Sequence, residues 1–243
     1  MSGLPKKVLL AVTSSSEPFY ENGDKTGVFY SEVSHPYKVF KEKGYDVDIV
    51  SETGSTSVDE HSISSMYLNS EELEGYKNYT DKYNIRKLLE TLCKPSKNVS
   101  SSDYGIFFAA GGHGAVFDFP NAKGLHKLAS EIYDKGGVVA AVCHGPVIFD
   151  NLLKSNGTPL IEGIKVTGFT DEGEKLAGVD GSLKKLNLHT VKYIASKNKG
   201  IYQEPPLPFD DYSIVDNRIV TGVNPASATS CATKTCLTFE SHN

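Results

Sequence analysis

The apolar run Ala140-Ala141-Val142 stops at Cys143-His144-Gly145-Pro146, a pattern that reads as strand, sharp turn and helix start with a thiol at the corner. Backbone N–H groups and the positive end of a helix dipole converge at such a corner, and both lower a thiol pKa from its reference of about 8.5. Cys143 is therefore the candidate nucleophile, by the logic of strand-to-helix elbows. The competing reading is a buried cysteine that fills space at a strand end.

Thiolate chemistry also needs a group that moves protons and donors for a developing oxyanion. His144 follows the thiol directly, and at a tight elbow neighbouring side chains can face one cavity; otherwise it is a surface residue at a helix start. Gly111-Gly112-His113-Gly114 follows the apolar Ile106-Phe107-Phe108-Ala109-Ala110, so its bare amides could receive an oxyanion, or the glycines could simply make a turn. Acids are numerous. Asp171, Glu172 and Glu174 follow the strand-like Lys165-Val166-Thr167, and nothing in their spacing selects the one that orients a histidine. Glu32 lies within an apolar helical pattern, where a carboxylate is by default solvated on the outer face.

Other chemistries are poorly supported. Asp59-Glu60-His61 groups ligand types, yet there is no H-E-x-x-H and no paired Cys or His spacing for zinc, so no metal is expected. Neither G-x-x-x-x-G-K nor G-x-G-x-x-G follows the first strand, which argues against a phosphate cradle, and no cofactor is expected. A net charge of -5 with dispersed lysines offers no stripe for a nucleic-acid backbone. The N-terminus Met1-Ser2-Gly3-Leu4-Pro5-Lys6-Lys7 lacks the apolar core of a signal peptide, and no segment approaches a membrane span. Four cysteines at 93, 143, 231 and 236 form no C-x-x-C pair and suit a reducing compartment. The expected location is the cytoplasm, with the nucleus left open.

The elements that must position these groups are visible as periodicities. Lys7 to Val12, Ile106 to Ala110 and Val138 to Val142 are short continuous apolar runs of the kind a doubly covered parallel strand shows. Val28, Phe29, Val33, Tyr37 and Phe40 recur at helical spacing before Gly44, with Pro36 implying a kink or break, and Tyr45 to Val50 alternates like a strand. Helices are expected over Ile85 to Cys93 and around Leu125, Leu128, Ala129 and Ile132. Asp216-Asn217 joins two short strands as a hairpin, and Pro225 opens a last helix. The alternation predicts an α/β fold in one domain over 1–243, a length that allows a substantial core. Residues 51–84 form a polar insertion, either a lid or interaction surface, or a solvated loop with a short helix.

Several segments, in order, resemble the ThiJ/PfpI superfamily, specifically its heat-shock chaperone and glyoxalase III branch: Lys6 to Leu10, Lys25-Thr26-Gly27-Val28-Phe29 with Glu32, Val50-Ser51-Glu52-Thr53-Gly54, Gly112-His113-Gly114, Gly136 to Pro146, Gly168-Phe169-Thr170-Asp171 with Gly173-Glu174, and Val220 to Ser227. The resemblance implies a flavodoxin-like, doubly wound parallel sheet sandwiched by helices, and a homodimer. It implies that Cys143 is the nucleophile, His144 its histidine, Glu174 the triad acid and Glu32 the carboxyl that contacts the thiol, with Gly112 and His113 at the oxyanion and substrate. It further implies conversion of a small 2-oxoaldehyde, methylglyoxal, to D-lactate without glutathione or metal, through a hemithioacetal on Cys143. Stress protection of unfolded protein clients goes with it. A redox-sensitive holdase and a cysteine hydrolase of peptides or amides are the alternatives. This chain departs from the pattern at Thr229, where relatives often carry histidine, and at Phe209, where they tend to carry tryptophan; both are expected to alter the shape of the pocket.

Overall fold

The computed structural model describes residues 3–243; Met1 and Ser2, where the segment read for a targeting signal begins, lie outside the described residues. The chain runs β1 (Lys7–Ala11), α1 (Tyr30–Glu42), β2 (Asp46–Ser51), α2 (Ser70–Asn78), α3 (Ile85–Thr91), β3 (Lys94–Pro95), β4 (Ile106–Ala109), α4 (Ala115–Asp118), α5 (Lys123–Asp134) and β5 (Val138–Val142). It continues through β6 (Lys165–Val166), α6 (Asp171–Leu176), α7 (Asp180–Lys185), α8 (Val191–Lys197), β7 (Ile201–Tyr202), β8 (Ser213–Asp216), β9 (Ile219–Gly222) and α9 (Ala228–His242). Seven strands form one sheet in the order β3-β2-β1-β4-β5-β9-β8. All neighbours are parallel except β8 and β9, which make the expected hairpin.

The continuous apolar runs are explained by this sheet having two buried faces. Leu9, Ala11, Phe107, Ala109, Val139 and Ala141 point to one side, against Leu125, Leu128, Ala129 and Ile132 of α5. Val8, Leu10, Ile106, Phe108, Val138, Ala140 and Val142 point to the other, against Val33, Tyr37 and Phe40 of α1 and Cys231, Ala232 and Phe239 of α9. Side chains alternate across a strand, so a strand covered on both faces needs apolar residues at every position. Each fully buried phenylalanine or leucine contributes about 1.5–3 kcal/mol, which fixes the register Leu10↔Phe108 and Phe108↔Ala140 against slippage.

Two expectations are corrected. Helix α1 runs unbroken through Pro36; proline removes one backbone bond but its φ is helical, and buried Val33, Tyr37 and Phe40 around it hold the segment against the sheet. The helix start after Cys143 is only one short 3-10 stretch, Gly145–Phe149. Lys165-Val166 forms a strand, as its composition reads, and pairs with β7 outside the main sheet. Chain reversal places β2 on one side of β1 and β4 on the other, and at such a switch point the loops beyond the strands' C-terminal ends leave a crevice. The loops after β4 and β5 and the first turn of α1 all reach that edge. Among the described residues no helix is long and apolar enough to cross a membrane.

Candidate active site

Cys143 sits in the left-handed region at φ 59°, a conformation that costs a non-glycine residue roughly 1–3 kcal/mol and persists only where the surroundings enforce it. Here they do. Its N–H donates to the Gly222 carbonyl at the end of β9, and its carbonyl accepts from Phe169 N–H, both at 2.9 Å. The side chain is thereby turned out of the β5 register and into the cleft, with 3% of the residue exposed.

The loop after β4 closes on the elbow from the other side. A Cβ on Gly111 would stand 2.6 Å from Glu32 Oε2 and 2.7 Å from His144 N, so only glycine admits both groups. Gly112, at φ 96°, turns the chain so that its N–H is directed to the Cys143 sulfur. Gly111 N–H donates to Glu32 Oε2 at 2.8 Å. Glu32 is fully buried, and its Oε1 has no conventional partner; the carboxyl and the thiol form a coupled pair. The helical pattern alone placed Glu32 in solvent; the helix face that carries it lies against the site instead.

Cys143 Sγ lies 3.3 Å from His144 Nδ1, and His144 Nε2 lies 2.7 Å from Glu174 Oε1. Glu174 enters on the first turn of α6, where Thr170 accepts Gly173 N–H as the cap. Burial selects it from the three acids: Glu172 is exposed, Asp171 half-buried and Glu174 buried. Its Oε2 takes His113 Nε2 at 3.0 Å, a contact that the reading of His113 as a loop residue missed. The signal was present, since a histidine between glycines directly after a strand end must stand at the crevice.

These contacts set the protonation states. Burial opposes charge on Glu174, but the two imidazoles outweigh it and hold the carboxylate well below its ordinary range. An ionised carboxylate only accepts, so His144 carries its hydrogen on Nε2. Burial, helped by His113, pushes His144 down; the ring is neutral at pH 7 and presents a bare Nδ1 to the sulfur. Burial pushes Glu32 up to about 8. It also pushes the Cys143 thiol up, as does the Glu32 charge, with the Gly112 N–H opposing. The lowered thiol expected from the turn is thus not what the isolated sulfur would show, because the turn left burial and Glu32 out. The short 3-10 stretch supplies little dipole in return.

The Glu32 shift has a consequence for stability. Between the ordinary 4.5 and about 8, the native state keeps a proton that the unfolded chain gives up, so this group removes stability as pH rises through that window. At its fullest the loss is on the order of 5 kcal/mol. Glu32→Gln should therefore flatten the fall in unfolding free energy from pH 5 to pH 8, as measured by urea denaturation. Parallel curves for the two proteins would mean that Glu32 is ionised in the native state.

A cavity of about 300 Å³ opens above the thiol, lined by Tyr20, Phe29, Tyr67, His113, Phe169 and Phe209 among others. Residues 51–84 supply His61, Ser64, Met66 and Tyr67 to its wall. Helix α2 of that insertion is docked on α1 through Glu72, 3.0 Å from His35 and 2.9 Å from Lys38. Phe209 lines the cavity, 6.3 Å from the Phe169 ring, whereas Thr229 is exposed on α9 and is not among the lining residues. The Asp59-Glu60-His61 group does not converge: Asp59 accepts from Tyr20 and Thr26 hydroxyls, and His61 pairs with Asp24. Among the described residues, His113, His144 and Glu174 do bring ligand atoms within 4.8 Å of one another, with both Nε2 atoms already engaged by the carboxylate.

A model of the DJ-1/PfpI family matches residues 25–236. A glutathione-independent glyoxalase of Saccharomyces cerevisiae is 54% identical over 231 residues, 95% of this chain and 96% of that protein. Glyoxalase 3 of Candida albicans is 50% identical over 235 residues, 96% of this chain and 98% of that one. The crystal structure of glyoxalase III from Candida albicans superposes with a TM-score of 0.92 at 48% identity, covering 97% of this chain and 98% of that chain. DJ-1beta of Drosophila melanogaster, at 15% identity and a TM-score of 0.54 over 95% of this chain and 88% of that one, shares the fold.

Proposed function

The chain belongs to the DJ-1/PfpI family, and from that premise we propose that it is a glutathione-independent glyoxalase, as its near full-length relatives are named, converting methylglyoxal to D-lactate. The observation that carries this reading is the line Cys143–His144–Glu174, its thiol and imidazole facing a cavity, with Glu32 hydrogen-bonded to the sulfur. Glu32 and Cys143 cannot both ionise near neutrality, because two anions would share one buried site. The reactive form is the one in which Glu32 keeps its proton and donates it as a hydrogen bond to the thiolate.

His144 Nδ1, 3.3 Å from the sulfur, takes the thiol proton. The sulfur attacks the aldehyde carbon, C1, and the oxyanion that forms is met by the amides of the Gly112-His113 loop and the elbow and takes that proton back, leaving His144 a free base. The hemithioacetal then loses its C1 hydrogen as a proton to His144, whose imidazolium is held by Glu174. The electron pair remains in the substrate as an enediol. Protonation at C2 gives a lactoyl thioester, which water hydrolyses to lactate and free thiol. One carbon is oxidised and its neighbour reduced, so no external electron carrier enters.

The test is formation of D-lactate by the purified protein in D₂O without glutathione. An enediol whose proton exchanges with solvent gives deuterium at C2; complete retention of the substrate hydrogen would mean a direct hydride shift or a single base that returns the proton it removed. Peptide cleavage, the other chemistry such a triad could support, is expected to be slow beside lactate formation.

Three further readings accompany this one. The chain acts as one domain and pairs as a homodimer, which a mass measurement in solution would decide. It works in the cytoplasm, with access to the nucleus, a setting that suits four free cysteines. It also shields unfolded clients through exposed apolar side chains such as Leu92, Leu176, Leu207 and Leu237, separate from the chemistry. Cys143→Ala should then suppress aggregation of a heat-denatured client as well as the parent protein does. A folded, dimeric variant that protected nothing would assign the protection to thiol chemistry.

A further inference from the structure

Two imidazoles address Glu174, and the mechanism above uses only one. His144 Nε2 lies 2.7 Å from one carboxylate oxygen and His113 Nε2 lies 3.0 Å from the other. The two ring centroids are 4.0 Å apart, tilted by 43°, and both rings line the cavity beside Cys143. His113 is also held in place: Phe19 stacks on it at 4.4 Å, and Gly114 N–H of its loop donates to the Gly27 carbonyl. A ring so fixed, with 12% of its side chain exposed, stands where a bound substrate must pass.

The reaction needs protons handled at two neighbouring atoms. The C1–H bond breaks and a C2–H bond forms, C1 rising from aldehyde to thioester and C2 falling from ketone to alcohol. Bonded carbons are roughly 1.5 Å apart, so two rings at 4.0 Å spacing can face adjacent atoms of one substrate.

We propose that His113 is a second catalytic residue of this reaction: His144 takes the proton from C1, His113 delivers a solvent-derived proton to C2, and Glu174 bridges the two rings. The inference rests on the glyoxalase reading. The proton left on His144 returns to solvent and His113 is reprotonated from solvent, so both rings regain their starting state in each turnover, and no oxidant or reductant is consumed.

His113→Gln separates proton transfer from positioning, because its amide N–H can still donate to Glu174 Oε2 but carries no exchangeable acid of the right strength. Its kcat for D-lactate is expected to fall about 10²-fold or more, while alkylation of Cys143 by iodoacetamide keeps the parent's pH profile. With methylglyoxal deuterated at C1 in ordinary water, the parent should place solvent hydrogen at C2. The residual turnover of the variant should retain deuterium there, since His144 alone returns what it removed. A variant as fast as the parent, or a slow one that still fills C2 wholly from solvent, overturns the proposal. If the glutamine variant does not fold, His113→Asn takes the same two measurements. A parent protein that made no lactate would instead strike the glyoxalase reading itself.

Discussion

Cys143→Ala is expected to abolish D-lactate formation, with no residual turnover above the uncatalysed background, because the route depends on a covalent bond to sulfur that alanine cannot form. The substitution removes one buried atom and its cavity is small, so the fold should survive with a change in stability of about 1 kcal/mol. Unfolding curves and circular dichroism alongside the lactate assay distinguish lost chemistry from lost structure. A folded alanine variant with parental activity would remove Cys143 from the mechanism and return it to the status of a core residue.

Replacement of His144 or Glu174 should cost roughly 10²–10⁴ in kcat, the usual consequence of removing a positioned proton carrier or its partner. The two losses arise differently. His144→Ala deletes the base that stands 3.3 Å from the sulfur. Glu174→Gln leaves the base in place but replaces an acceptor by a group that can also donate, so the imidazole is free to put its hydrogen on Nδ1 and close the basic site that faces the thiol. Because the two act as one unit, the double variant should be little worse than either single one. Losses that multiplied instead would show independent roles, and His144 would then be acting without Glu174.

Much of this arrangement could be read from the chain. The three apolar runs are strands because a sheet buried on both faces tolerates no polar alternation, and the Cys143-His144 corner stands where an apolar run ends at glycine and proline. Strand β3 went unnoticed, since Lys94–Pro95 is a two-residue edge with no apolar signal to give. Periodicity alone leaves Glu32 in solvent, because it reports which residues share a helix face and not that α1 crosses the sheet with this face toward a thiol; only the resemblance places it there. Spacing alone does not separate Glu174 from Asp171 and Glu172; the resemblance implies Glu174, and of the three it is the buried one. For the same reason the upward push on Cys143 was hidden: a turn is local, but burial and a carboxyl from a residue far away in sequence are not. The insertion over 51–84 has the composition of a loop, and it is the placement of His61, Ser64, Met66 and Tyr67 that shows it walls the cavity.

The claim that everything else depends on is that lactate is made on the Cys143 sulfur. The direct test is to alkylate the protein in steps, measure the fraction of Cys143 modified by peptide mapping, and assay glutathione-free D-lactate formation at each step. Activity is expected to fall in proportion to unmodified Cys143 and to reach zero when that residue alone is blocked, whatever the state of Cys93, with methylglyoxal slowing the modification. Lactate formation that persisted after Cys143 was fully alkylated would contradict the covalent mechanism.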